Sequence, residues 1–160
     1  MLIELSVANY RCFRERVTLS LEAEPQVTGD AGDERNVART VDGDLLRVVG
    51  LYGANASGKS NLLRALSVLR SMVLDSAREG QAGDRLPVDP FRLDEGSAHA
   101  PTDLEVVLVD SGVQYRYGLS ATVERVEREW LFVRAEGADE QRWFERERAR
   151  YEVGPEWQQD

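Results

Sequence analysis

Gly53-Ala-Asn-Ala-Ser-Gly-Lys-Ser60 fits the pattern G-x-x-x-x-G-K-[ST] of a phosphate-binding loop, a form that needs a strand before it and a helix after it. Both are predicted. Upstream, Leu45, Leu46, Val48, Val49 and Leu51 form a short apolar run with little polar interruption, the composition of a strand covered on both faces in a parallel α/β sheet. Downstream, Leu62, Leu63, Leu66, Leu69, Met72 and Val73 recur at helical spacing, which predicts one apolar helix face running to about Ala77 and ending in Glu79-Gly80.

The residue types explain what such a loop does. Gly53 and Gly58 let the backbone turn tightly and approach a polyphosphate where a Cβ would clash. The loop is completed by Ala54, and the amides from Asn55 through Ala56, Ser57, Gly58, Lys59 and Ser60 converge on the β- and γ-phosphate oxygens at the positive end of the helix. Lys59 adds a cation, and Ser60 is suited to give its hydroxyl oxygen to Mg²⁺. The loop therefore predicts a bound nucleotide with Mg²⁺, and its residues leave open which nucleotide that is.

Cleaving the phosphates needs more, namely an acid for the Mg²⁺ shell at the end of an apolar parallel strand and a group that orients water. Leu104-Glu-Val-Val-Leu-Val-Asp110 is the best candidate strand, with Asp110 as the acid. Ser111 and Gly112 then lead straight into Val113-Gln-Tyr-Arg-Tyr-Gly-Leu119, which reads as a hairpin, whereas a metal-binding strand feeds a loop and helix. No catalytic residue is assigned beyond that candidate.

Elsewhere, alternation at Leu2, Ile3, Leu5 and Val7 and again at Val17, Leu19 and Leu21 predicts two antiparallel strands within residues 1–23. Residues 24–44 read as a loop with a short strand near Val37, and residues 80–101 as a second loop. Leu104–Val109, Val113–Ala121, Glu129–Arg134 and Arg142–Glu147 predict an antiparallel meander within residues 103–153, carrying Trp130, Phe132, Trp143 and Phe144 as cross-strand packing. The P-loop core is expected at 45–79, and the whole 1–160 as one domain.

Composition excludes several classes. With 29 acids against 20 bases the net charge is −9, so the surface as a whole should repel nucleic acid, and the arginines of Trp143-Phe-Glu-Arg-Glu-Arg-Ala-Arg150 alternate with glutamates as on a solvated strand. No apolar run approaches the roughly 18 residues of a membrane helix. The opening Met-Leu-Ile-Glu4 carries an acid where a signal peptide carries positive charge, so a cytoplasmic protein is expected. The single cysteine, Cys12, and the single histidine, His99, supply neither an internal disulfide nor a metal cluster.

The opening Leu2-Ile-Glu-Leu-Ser-Val-Ala-Asn-Tyr-Arg-Cys-Phe13, followed by Gly53-Ala-Asn-Ala-Ser-Gly-Lys-Ser-Asn-Leu-Leu63, resembles the amino-terminal lobe of RecF/SMC-like ABC-class ATPases. More narrowly, with Tyr115-Arg-Tyr-Gly118, Val126-Glu-Arg-Glu-Trp-Leu131 and Trp143-Phe-Glu-Arg146, it is similar to bacterial AAA-type ATP-binding proteins grouped with the overcoming-lysogenization-defect and abortive-infection ATPases. The resemblance implies an α/β P-loop NTPase lobe with an antiparallel β subdomain beside it. It carries Arg11 over as a contact to phosphate or ribose, and Asn55 and Asn61 as residues that tie the loop together. It also implies a second head as partner, forming a homodimer around ATP, and admits a role in bacterial defence with a nuclease or toxin effector.

The chain departs from that group in lacking a Ser-Gly-Gly signature, an apolar strand ending in Asp-Glu and a switch histidine. No glutamine is assigned to the loop that senses the γ-phosphate; Gln158 and Gln159 near the end are candidates that nothing else in the sequence supports. The expectation is a half-head that binds Mg·ATP and turns it over only when a carboxy-terminal lobe or partner is added. The alternatives are a nucleotide-dependent switch without turnover and a small P-loop kinase using Asp110.

Overall fold

The fold is a computed structural model that describes residues 1–24, 35–40, 43–75 and 85–155. The expected helix end at Glu79-Gly80 and Gln158 and Gln159 lie outside the described residues. Its main element is a seven-stranded sheet built from β1 (Leu2–Ala8), β2 (Val17–Ser20), β5 (Thr102–Asp110), β6 (Val113–Ala121), β7 (Val126–Ala135), β8 (Gln141–Glu147) and β9 (Arg150–Val153), in the order β2-β1-β5-β6-β7-β8-β9. Every pairing in it is antiparallel. The predicted meander is present because each link carries its turn chemistry: Ser111 and Gly112 take φ of 51° and 80°, the paired positive values of a two-residue hairpin turn.

One helix, α1 (Lys59–Asp75), packs on this sheet. Leu62, Ala65, Leu69 and Met72 meet Leu5 and Val7 of β1, Leu104 and Val106 of β5, and Leu119 and Ala121 of β6 in one core. The spacing three, four and three puts those four helix residues on one stripe, and the alternate positions of each strand answer it. Two residues assigned to that stripe from the sequence are not on it. Leu63 and Val73 are exposed, and the fully buried Ala65 takes the place between Leu62 and Leu69. A bulge between Leu2 and Glu4 turns Ile3 to the other face of the sheet, where it packs with Leu45 and Val107.

The largest correction concerns the residues before the loop. Instead of one buried parallel strand over Leu45–Leu51, the chain forms a small antiparallel hairpin, β3 (Val37–Thr40) and β4 (Gly43–Leu46), which ends before Val48. The Asn36 side chain receives the Val48 amide at 2.8 Å and donates to the Val48 carbonyl at 3.0 Å, satisfying the backbone there without a neighbouring strand. The apolar side chains of Val48, Val49, Leu51 and Tyr52 consequently stand in solvent, Tyr52 at 95% exposure.

In the seven-stranded sheet, Trp130 lies over Gly118, its cross-strand partner, and donates its indole N–H to Glu105 at 2.8 Å. A Cβ at Gly118 would come within 2.3 Å of that ring. Gly118→Ala should therefore push the indole off Glu105 and lower stability by about 1–3 kcal/mol, read as a fall in the denaturant midpoint. An unchanged midpoint would contradict the packing.

Candidate nucleotide-binding site

Residues 50–58 run without regular structure from the hairpin to α1, and what shapes them is contact at both ends. A Cβ on Gly53 would meet the Ser57 hydroxyl oxygen at 2.9 Å. Gly58 is buried at φ +99°, and a Cβ there would stand 3.0 Å from both Cys12 Sγ and Phe13 Cζ. Glycine is required at 58 on both counts, conformation and space. Ala56 also takes positive φ, 63°, so the loop turns twice within three residues.

Lys59 folds back over this loop. Its ammonium donates to the Gly53 and Ala54 carbonyls, each at 2.7 Å, and approaches Ser57 Oγ at 3.4 Å. The amides of Asn61 and Leu62 both donate to the Gly58 carbonyl, at 2.9 and 3.0 Å. Those of Gly58, Lys59 and Ser60 have no protein acceptor among the described residues. The first turn of α1 holds no acidic residue, so no carboxylate of its own answers the helix dipole or those free amides. A narrow glycine cradle, a lysine at its centre and free amides at a 17-residue helix form a set that fits a polyphosphate.

The metal half of the site is sparser. Ser60 is exposed in the first helical turn, and no cluster of three His, Cys, Asp or Glu side chains among the described residues is arranged to hold an ion. Ser60 is the oxygen donor that this loop would offer to Mg²⁺ beside the phosphates.

Asp110 is not part of the arrangement. It is an exposed hairpin residue paired with Val113, at the end of β5 that lies beside Met1. The loop contacts Cys12 and Phe13, beyond the opposite end, where Ala8 pairs with Asp103. Eight residue steps along β5 separate the two ends by about 26 Å. The hairpin reading of Asp110 holds, and the metal-shell reading does not fit.

Arg11, by contrast, is beside the loop. Its Nη1 donates to Asn61 Oδ1 at 3.2 Å, and Asn61 Nδ2 in turn donates to Cys12 Sγ at 3.2 Å, so Asn61 joins the first turn of α1 to the turn between β1 and β2. Asn55 is exposed in the loop. Three residues to which the sequence reading gave no role complete the neighbourhood. Asp89 pairs with Arg11 at 3.1 Å and with Arg92 at 2.9 Å. Asn9, buried, receives the Phe91 amide at 3.1 Å and donates to the carbonyls of Ser97, Ala100 and Pro101 at 2.8 to 3.0 Å. Burial pushes the Tyr10 phenol above its ordinary pKa, against the pull of the Arg11 charge. Beyond this neighbourhood, hydrogen bonds from Ser97 hold the Asp94 carboxyl, N-cap of the short helix α2 (Glu95–His99), below the usual range.

Other candidate residues fall elsewhere. His99 is exposed at the end of α2. The arginines near the carboxyl end face glutamates: Arg146 with Glu129 at 2.8 Å, Arg142 with Glu152 at 2.8 Å, and Arg148 with Glu127 at 2.7 Å. They form the solvated, self-paired strand face expected from the alternation. No helix among the described residues is long and apolar enough to cross a membrane.

Comparison with known proteins agrees with this geometry. No curated protein matches the chain. The family model of the AbiEii toxin-like AAA domain, type IV TA system, matches residues 48–156, from the approach to the loop through the last strand of the sheet. That span is more than half of the 160 residues, and the chain belongs to this family of AAA, P-loop ATPase-type domains.

Proposed function

We propose that the chain binds Mg·ATP through residues 53–60 as the amino-terminal part of an ABC/SMC-like ATPase head, and that hydrolysis requires a further lobe or a partner chain. The observation that carries the binding reading is Lys59, whose ammonium is held at 2.7 Å by the carbonyls of Gly53 and Ala54 in the middle of the glycine cradle. In this reading the Lys59 charge and the amides of Gly58, Lys59 and Ser60 receive the β- and γ-phosphate oxygens, Ser60 contributes one oxygen to Mg²⁺, and Arg11 adds a second cation. Bound Mg²⁺ would neutralise charge on the transferred phosphoryl group.

The need for a further lobe is supported by apolar side chains left exposed before the loop and along α1. Val48, Val49, Leu51 and Tyr52 before it, and Leu63, Val73 and Leu74 on α1, are all at least 36% exposed. Four exposed apolar residues within Val48–Tyr52 mark a surface that another structure covers. A second head of the same kind is the partner class proposed, in a cytoplasmic protein that acts in bacterial defence with a nuclease or toxin effector. The kinase alternative loses its acid, since Asp110 sits about 26 Å along the sheet from the end that meets the loop.

The test is equilibrium binding of Mg·ATP to the 160-residue chain together with steady-state phosphate release. Saturable binding with almost no turnover is expected, and Asp110→Asn should leave the affinity unchanged. Absence of binding would sink the reading, and robust hydrolysis dependent on Asp110 would replace it with a complete small enzyme.

A further inference from the structure

We propose that Asp89 is a positioning residue of the nucleotide site, holding the Arg11 guanidinium against Asn61 at the first turn of α1. The proposal rests on the ATP reading above and adds to it a residue far from the loop in sequence. A free arginine side chain carries about 2 kcal/mol of rotamer entropy, so its aim has to be set by contacts. Three do so here. The Arg11 amide donates to the Asp89 carbonyl at 2.7 Å, Nε faces Asp89 Oδ2 at 3.1 Å, and Nη1 donates to Asn61 Oδ1 at 3.2 Å.

The division of donors matters. Nε lies in an ion pair with Asp89 and Nη1 donates to Asn61, while Nη2 has no protein acceptor among the described residues and stays available to a phosphate or ribose oxygen. Asp89 is itself fixed at two levels. Arg92 holds its other carboxylate oxygen at 2.9 Å, and Asn9 receives the Phe91 amide at 3.1 Å, which ties down the backbone two residues on. Arg11 has φ of 51°, a left-handed value that leaves its backbone little room to move if the side-chain contact is lost. Removing the Asp89 charge should therefore release the guanidinium and leave the turn in place, because Asn9 and the backbone bond hold the turn.

A double-mutant cycle on Mg·ATP affinity separates positioning from general structural support. Arg11→Ala is expected to weaken binding about tenfold and Asp89→Asn about fivefold, the scale for a partly exposed charge pair. The double variant should bind no worse than Arg11→Ala alone, and Asp89→Glu should recover part of the loss. The melting midpoint without nucleotide should stay near wild type in each. Additive losses, or wild-type affinity in Asp89→Asn, would overturn the proposal while leaving the ATP reading intact. Failure of Asp89→Asn to fold would overturn it too, since the turn is assigned to Asn9. Wild-type binding by Lys59→Ala would instead remove the ATP reading on which the proposal stands.

Discussion

Lys59→Ala should abolish the rise in thermal midpoint that Mg·ATP gives the wild-type chain. At a ligand concentration a hundred times the dissociation constant, binding adds about 2.7 kcal/mol to stability. In a domain of this size each kcal/mol moves the midpoint by about 2–4 °C, so a wild-type shift of about 5–10 °C is expected. The variant removes more than one contact. With the ammonium gone, the Gly53 and Ala54 carbonyls, now 2.7 Å from it, would present two negative dipole ends toward a polyphosphate with no cation between. Repulsion then replaces attraction at the point where the ligand's charge is densest. The midpoint without nucleotide should change little, because among the described residues the lysine is bonded within the loop and not to the core. Differential scanning fluorimetry across an Mg·ATP series checks both expectations, and equal shifts in variant and wild type would remove the phosphate-binding assignment.

The loop was legible because its information is local. Gly53, Gly58, Lys59 and Ser60 stand at fixed spacing, and Leu62, Leu69 and Met72 repeat at helical period behind them. The hairpin at Ser111-Gly112 was legible for the same reason, since a two-residue turn requires residues that tolerate positive φ. The apolar run at Leu45–Leu51 misled because composition reports what a segment could bury and says nothing about what covers it. Leu45 is in a core with Ile3 and Val107, whereas Val48, a few residues on, is 71% exposed. Leu63 and Val73 misled in the same way: both suit a buried stripe by residue type, and both are exposed on α1. The Ile3 face was hidden by a bulge, which shifts alternation by one residue without any sign in the residue types. Asp89 and Asn9 left no period at all. Their partners are dozens of residues away, and a side chain that bonds across such a distance carries no sequence signal without the fold.

Asn9→Ala should be the most damaging single substitution to stability among those considered, by about 2–4 kcal/mol. Asn9 is 8% exposed and serves the segment from Phe91 to Thr102 with both ends of its amide. Its Nδ2 has two hydrogens and faces the carbonyls of Ser97, Ala100 and Pro101, so at least one bond is shared; its Oδ1 receives the Phe91 amide, and its own carbonyl receives the buried Thr102 hydroxyl at 2.7 Å. Alanine would leave the Phe91 amide and several carbonyls without their side-chain partner at part-buried positions. It would also have to adopt φ of 48°, where a residue without asparagine's polar side chain loses about 1–2 kcal/mol. The midpoint should fall by about 5–15 °C. Because the same segment carries Asp89, which holds Arg11, Mg·ATP affinity should fall along with stability. Asn9→Asp sharpens the test: it keeps the acceptor for Phe91 but turns a charged oxygen toward three carbonyls, and should be at least as damaging as alanine. If aspartate restored wild-type stability, the three carbonyl contacts would not be what holds this segment to the turn beside the loop.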